Sequence, residues 1–395
     1  MLPGVISTGM ETASRKPDIY ELTLLEKSAA RFLRLLTKLR NDIRKLNSPV
    51  YKTQERRPRG QQTRVNLSAG YTALDEEIIV DDSSIFSEGD LAILTRIQEM
   101  VRIRSITRST HTLLITRGVG STAAAINDND YILRVSRVEN EAYTIGPSYV
   151  TDTTQVTNYA STVSTPVEHS NLQVLEHSYL SGGTDNKTNR VKADEFAMSI
   201  EHLREIDRQL MFSFKSATLD ANNRYLYTTG GMIPSIVTNV YNHAGGQQMT
   251  EAQYNTNMVR PAWGNDSTEK WQLSSNKFLS VMESFQRDKV YYEPGEMQTM
   301  GFAVSKYKTT RGVINVIHHP HLDATPYYEE GAVIIDFNHV RLALLQDTKY
   351  DKGPSGNGLQ VPNQRTKLSE WSTICGLDIQ YEEAHLWGYD VVTGT

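Results

Sequence analysis

Residues 186–231 read NKTNRVKADEFAMSIEHLREIDRQLMFSFKSATLDANNRYLYTTGG. Phe196, Ile200, Leu203, Ile206, Leu210 and Phe214 recur at steps of three or four, so the spacing predicts one apolar stripe on a long helix. Lys192, Asp194, Glu195, Glu201, Arg204, Glu205, Asp207 and Arg208 fall on the other faces, with both charge signs outward. Thr188 or Asn189 is placed to cap the start. The helix runs into a polar segment that ends at a Thr228-Thr229-Gly230-Gly231 turn. It lies mid-chain between two β-rich halves that carry no strong catalytic motif. Such a helix reads as a spine that organises an assembly rather than the wall of an active site.

Working outward toward the N-terminus, a first amphipathic helix is expected over 18–46. Ile19, Leu22, Leu25, Ala29, Phe32, Leu36, Leu39, Ile43 and Leu46 share a face, and Arg31, Arg34, Lys38, Arg40, Arg44 and Lys45 line the other side. Pro17-Asp18 marks its start and Asn47-Ser48-Pro49 its stop. Residues 50–66 are polar and basic, with Pro58 and Gly60, and read as extended chain that makes no core element. Short alternating runs at 76–80, 91–95, 99–106 and 111–116, punctuated by Gly89-Asp90, Ser109-Thr110 and Gly118–Gly120, predict a compact antiparallel β-module over about 71–147. Residues 148–185 form a second polar limb ending at Ser181-Gly182-Gly183. A module between two extended limbs is a long excursion that partners must order.

Beyond the spine, 221–265 reads as loop-rich, and a shorter helix follows at about 275–288 with Ser274 or Ser275 as its cap. Strands are expected at 299–306, 312–318, 331–337, 339–346, 371–382 and 384–392, with a Gly/Pro loop over Asp351–Asn363.

The 395 residues, 38% hydrophobic and 22% charged, allow a substantial core and exclude wholesale disorder. The net charge of −5 is uneven: residues 1–64 hold 14 Lys+Arg and 6 Asp+Glu, or +8, which leaves −13 for the rest. A basic arm on an acidic body suits docking on an acidic neighbour, on its own body or on phosphate. Cys375 is the single cysteine, so no intrachain disulfide forms, which fits a reducing cytoplasm, and buried filler is its expected role. No apolar run approaches the roughly 20 residues of a membrane-spanning helix, and the first residues lack the basic and apolar regions of a signal peptide.

The order of these parts resembles the major capsid proteins of tailed bacteriophages, which share the HK97-type fold, in the branch whose extended loop carries an inserted β-module. Local wording is similar too. Gly89-Asp90, Glu99-Met100-Val101, Arg117-Gly118 and Thr122-Ala123 resemble the "GD…EMV…TRG…TA" of that module. Glu205-Ile206-Asp207 through Phe212, before Thr229-Gly230-Gly231, resembles the end of the spine helix. Ile334-Ile335-Asp336-Phe337 and Gly376–His385 resemble the late strands. The pieces are short and degenerate; their order over about 18–392 carries the likeness.

The resemblance implies an α+β fold with an N-terminal arm (1–49), an extended loop (50–185), a spine helix of the peripheral domain (186–220), an axial domain (221–345) and closing strands (346–395). It implies a structural protein that self-assembles into hexamers and pentamers of an icosahedral head around double-stranded DNA, which it contacts non-specifically, with no enzyme activity and no cofactor. Implied partners are separate scaffolding, portal and decoration proteins, with no membrane; the implied place is the virion, assembled in the host bacterial cytoplasm. About 17 residues precede the first helix, so the coiled-coil scaffolding segment of many relatives is expected to be a separate protein or absent. No position matches the lysine–asparagine crosslink of some relatives. Contacts between subunits are expected from Phe32, Arg34, Leu36, Arg56, Arg57, Arg59, Arg64, Glu201, Arg204, Glu205 and Arg208.

Other chemistry is sparse. His318-His319-Pro320-His321 with Asp323 is the best metal-like cluster. In extended chain His319 and His321 share a face and His318 does not, so His319 and His321 are the metal-ligand candidates, against a simple polar turn. Arg117–Thr122 has glycines but lacks the lysine of a phosphate loop. Asp75-Glu76-Glu77 and Asp81-Asp82 suit a solvated edge that blocks strand pairing better than a cation site. A metalloenzyme built on His318, His319 and His321, or another virion part such as an adhesin, decoration protein or connector, stays open as an alternative.

Overall fold

A computed structural model gives the structure of the protein. It describes residues 30–39, 43–138, 141, 153–170, 186–243, 247–264, 267–285, 290–291, 305–352, 359–360 and 366–391. The chain divides into two compact units: unit 1 comprises 1–53 with 156–395, and unit 2 is Gln54–Gln155.

The two larger sheets among the described residues of unit 1 are built as follows. In the first, the order is Arg44–Lys45 (β1), Val340–Asp351 (β19), Thr366–Ile379 (β21) and Ser161–Ser170 (β10), with Leu359–Gln360 (β20) also paired to β21. β1 runs parallel to β19, while β10 and β19 run antiparallel to β21. In the second, the order is Val240–Asn242 (β13), Leu386–Tyr389 (β22), Ala332–Ile335 (β18), Glu269–Ser274 (β14), Val313–His318 (β17), Ser305–Lys308 (β16) and Val290–Tyr291 (β15).

β18 reads Ala-Val-Ile-Ile without alternation because both its faces are buried. Val333 and Ile335 join Trp271 and Leu273 in a core with helix α1 (Arg31–Leu39) and helix α2 (Asn186–Phe212). Ala332 and Ile334 face a second core with Tyr254, Met258 and helix α3 (Asn276–Phe285). Ser275 Oγ accepts from the Phe278 N–H and caps α3. A fully buried Lys270–Asp336 pair at 3.1 Å, with Lys270 also donating to the Ala384 carbonyl, sits inside this sheet.

Unit 2 has its own sheet, in the order Gln62–Arg64 (β3), Tyr131–Arg137 (β8), Asp90–Leu94 (β5), Glu99–Thr107 (β6), Thr112–Thr116 (β7) and Glu77–Ile79 (β4), over a core of Val65, Ile78, Phe86, Leu94, Ile103 and Ile115. Unit 2 holds no lysine, so apart from His111 its basic residues are arginines, and most of these arginine side chains staple loops. Arg117 grips buried Glu99 with two bonds of 2.7 Å and also donates to the carbonyls of Thr72, Asp75 and Ala124. Arg96 does the same for Asp130 and Ala125. Arg59 and Arg134 converge on buried Asp90. A planar fork that serves several acceptors at once is something an ammonium group cannot supply. Val50–Glu55 (β2) and Thr154–Tyr159 (β9) form a two-stranded sheet that straddles the sequence boundary between the units.

Several expectations change. Over the described part of 18–46 the helix covers Arg31–Leu39 only, and Arg44–Lys45 is strand. Arg44 donates to Asp378 and Thr53, and a tertiary pairing of this kind outweighs local helical preference. The expected start at Pro17-Asp18 lies outside the described residues, as do Ser181-Gly182-Gly183 and the strand start at 299–304. Residues 62–65 are a core element after all: Thr63 and Val65 point inward and β3 pairs with β8. The long helix begins at Asn186, so Thr188 and Asn189 lie inside it. It ends at Phe212, not 220; Ser216–Leu219 (β11) and Tyr225–Thr228 (β12) form a hairpin. Gly231 then passes so close to the helix end that an added Cβ would lie 2.9 Å from the Met211 carbonyl carbon and Ser213 N. The loop-rich 221–265 also holds a helical run, Glu251–Ala262 with a π stretch, opened by a Thr250–Gln253 capping box.

Candidate assembly surface

The buried face of α2 differs from the apolar stripe. Ile206, Leu210 and Met211 are buried as the period requires, but Phe196 is 56% exposed, Phe214 (just past the helix) 73% exposed, and Leu203 is exposed too. In their place His202 and Asp207 are fully buried. They are tolerated because each finds partners on distant elements. His202 Nδ1 lies 2.8 Å from Thr165 Oγ1 of β10 and Nε2 lies 2.8 Å from Thr373 Oγ1 of β21. Thr165 also donates to Glu205 at 2.6 Å, so its oxygen accepts from His202 Nδ1–H. Burial lowers the His202 pKa, and Glu205 only partly opposes it.

Asp207 is the second junction. Its Oδ1 accepts the Leu33 N–H at 2.7 Å and its Oδ2 lies 3.0 Å from His319 Nε2 and 3.6 Å from His321 Nε2. His318 turns the other way: its Nε2 bonds Asp323 at 2.5 Å, while Arg31 donates to the His318 carbonyl. His319 and His321 therefore share a side and His318 does not, although Pro320–Ala324 is a 3-10 helix rather than the expected extended chain. Among the described residues no group of three or more His, Cys, Asp or Glu is set to hold a metal ion, so the His319 and His321 candidates gain no support as ligands.

With its junctions satisfied inside, α2 turns apolar side chains outward. Phe196, Met198, Leu203 and Phe214 are exposed, and so are Leu219, Tyr225 and Leu226 on the hairpin that follows. Single exposed apolar residues are ordinary, but a run along one helix and hairpin marks an interaction surface. Glu201 pairs with Arg204 at 3.2 Å and Arg208 at 2.6 Å on the same helix, and burial of Glu201 is outweighed by these bonds, which hold its carboxyl below the usual range.

The other expected contact residues distribute unevenly. Phe32 and Leu36 are enclosed in the chain's own core. Arg34 is half-buried on α1. Arg59 is spent on Asp90, Arg57 lies 3.6 Å from Glu55, and Arg64 stacks on Tyr131. Arg56 is exposed. The glycine loop at 117–122 binds the protein's own carboxylate: Glu99 takes the N–H groups of Gly118 and Ala124. The acidic run lies on and beside the edge strand β4, with Glu77 exposed. Cys375 is buried, and burial pushes its thiol up to about 12.

Known proteins give this surface a context. The chain resembles the capsid of a native GTA particle, at 8% identity and a TM-score of 0.50, over 99% of this chain and 100% of that one. A solved chain of Mycobacterium phage Bobi matches at 8% identity and a TM-score of 0.46, over 98% and 99% of the two chains. An SrpI encapsulin from Synechococcus elongatus PCC 7942 matches at 10% and 0.41, over 62% of this chain and 80% of that one. At these identities the first likeness shows a shared HK97-like fold and no more. No curated protein matches the sequence. The profile of the SU10 major capsid proteins matches residues 7–391, almost the whole chain. The chain therefore belongs to the SU10 major capsid protein family, as a structural subunit of an icosahedral phage head and not an enzyme.

Proposed function

We propose that subunits of this capsid protein lock together by laying the extended segment 50–185 of one copy across the long helix of its neighbour. In this reading the arm 1–49 packs beneath an adjacent subunit, residues 221–345 meet around six-fold and five-fold centres, and 346–395 close the fold. The observation that carries it is the outward apolar run of Phe196, Leu203 and Phe214, which a solitary chain leaves in water. Hexamers and pentamers related by closed symmetry multiply such contacts, each of which can bury a standard ~800 Å² per partner or more.

The same reading gives the packaged double-stranded DNA a non-specific, salt-sensitive contact, and it leaves scaffolding, portal and decoration to separate proteins within the bacterial cytoplasm. The test is Phe196→Glu combined with Leu203→Glu. The expected result by negative-stain electron microscopy is free, folded subunits without shells. Shells of normal size and yield from this variant would overturn the reading.

A further inference from the structure

Three histidines in one short turn serve two carboxylates, and each carboxylate caps a different helix. Asp207 accepts the Leu33 N–H in the first turn of α1 and bonds His319. Asp323 accepts the Asn276 N–H at the start of α3 and bonds His318. Arg31, at the first position of α1, holds the same turn through the His318 carbonyl. The turn is thus the joint where α1 meets the long helix.

We propose that this turn is a proton-operated latch that holds α1 on the long helix and releases it in acid. His319 and Asp207 have no exposed surface, and the His321 side chain is only 12% exposed. The two imidazoles stand with ring centroids 5.4 Å apart and share one carboxylate. The charged groups facing them are Asp207, Arg204 and Arg208 from α2, with Arg31 of α1 and Asp323 beyond His318. Among these, Asp207 favours a proton on His321, while burial, His319, Arg208 and Arg204 oppose it and hold the group at about 4. The unfolded or undocked imidazole titrates near 6.5.

The sign follows. Docking excludes a proton that the open state accepts, so docking is strongest above about pH 6.5 and weakens as pH falls toward 4. A proton on His321 puts a positive charge in a nearly closed site, and in the proposed latch water reaches it when α1 and the turn part. Helix α1 has nine residues, too few to stay helical alone, so release means unravelling.

The experiment is hydrogen exchange on the purified full-length chain, free or assembled, from pH 7.5 to 4.5, with protection corrected for intrinsic exchange. Protection of the α1 amides should fall by at least about tenfold while the strand Thr112–Thr116 stays protected. His321→Gln, or His321→Asn if the first variant does not fold, should keep α1 protected at least about one pH unit lower. Unchanged α1 protection at pH 4.5 in the natural chain would overturn the proposal, and so would an identical midpoint in the variant.

Discussion

The Leu33 N–H donates to Asp207 Oδ1 at 2.7 Å, so the first described helix is capped by a side chain 174 residues away. A cap normally comes from the residue just before the helix. Here the cap and the packing contact are one interaction, and α1 forms where it docks.

Asp207→Ala should therefore remove the cap and strand the buried His319 at once. The expected cost is about 2–4 kcal/mol. Thermal unfolding of the variant against the natural chain measures it, and a loss below about 0.5 kcal/mol would contradict this account of the junction.

A clamp in unit 2 offers a sharper contrast. Burial disfavours the charge on Glu99, yet Arg117, Ala124 and Gly118 outweigh it and hold the carboxyl low. Arg117→Ala should leave that charge buried and unpaired, at a cost of about 3–5 kcal/mol. Arg117→Lys should recover only part of it, because lysine has no fork to reach Thr72, Ala124 and both carboxylate oxygens. Limited proteolysis within 54–155 is the readout; equal resistance of Arg117→Lys and the natural chain would refute the argument.

Stability should also fall on the acid side for reasons outside the proposed latch. Burial, helped by Lys270, pushes His385 down to about 3, and burial lowers His202. His385 stays uncharged in the folded chain down to about 3 and His202 is shifted in the same direction, whereas both take a proton near 6.5 when unfolded. Their contribution is complete above about pH 6.5 and declines as the pH drops toward 3. Urea midpoints at pH 7.5, 6 and 5 should decrease in that order. His385→Asn, which keeps an acceptor for the Asp336 N–H, should flatten the decline.

Much of the fold was legible where one face of an element is wet. Asp90–Leu94 and Glu99–Ile103 alternate buried and half-buried side chains, and that alternation is what period-two reading detects. Ala332–Ile335 was legible for the opposite reason, as an unbroken apolar run. The buried face of the long helix was not. Burial of His202 depends on Thr165 and Thr373, and burial of Asp207 on Leu33 and His319, and no local pattern carries those pairings. Thr63 and Val65 were hidden by the basic residues around them, of which Arg59 pairs with Asp90 and Arg64 donates to the Tyr131 hydroxyl. Among the expected contact residues, apolar periodicity marked Phe32 and Leu36 without telling an inward face from an outward one. Leu203 belongs to the same kind of stripe and is exposed.

The absence of lysine from 54–155 has a practical side. Amine-directed reagents such as activated esters have no side chain to attack in this unit, and aldehyde fixatives lose their main target there. A dye or polymer coupled to lysine would decorate a particle only through the rest of the chain and leave the Arg117 and Arg96 staples intact. Chemistry aimed at guanidinium groups would do the reverse, loosening the unit as it labels it.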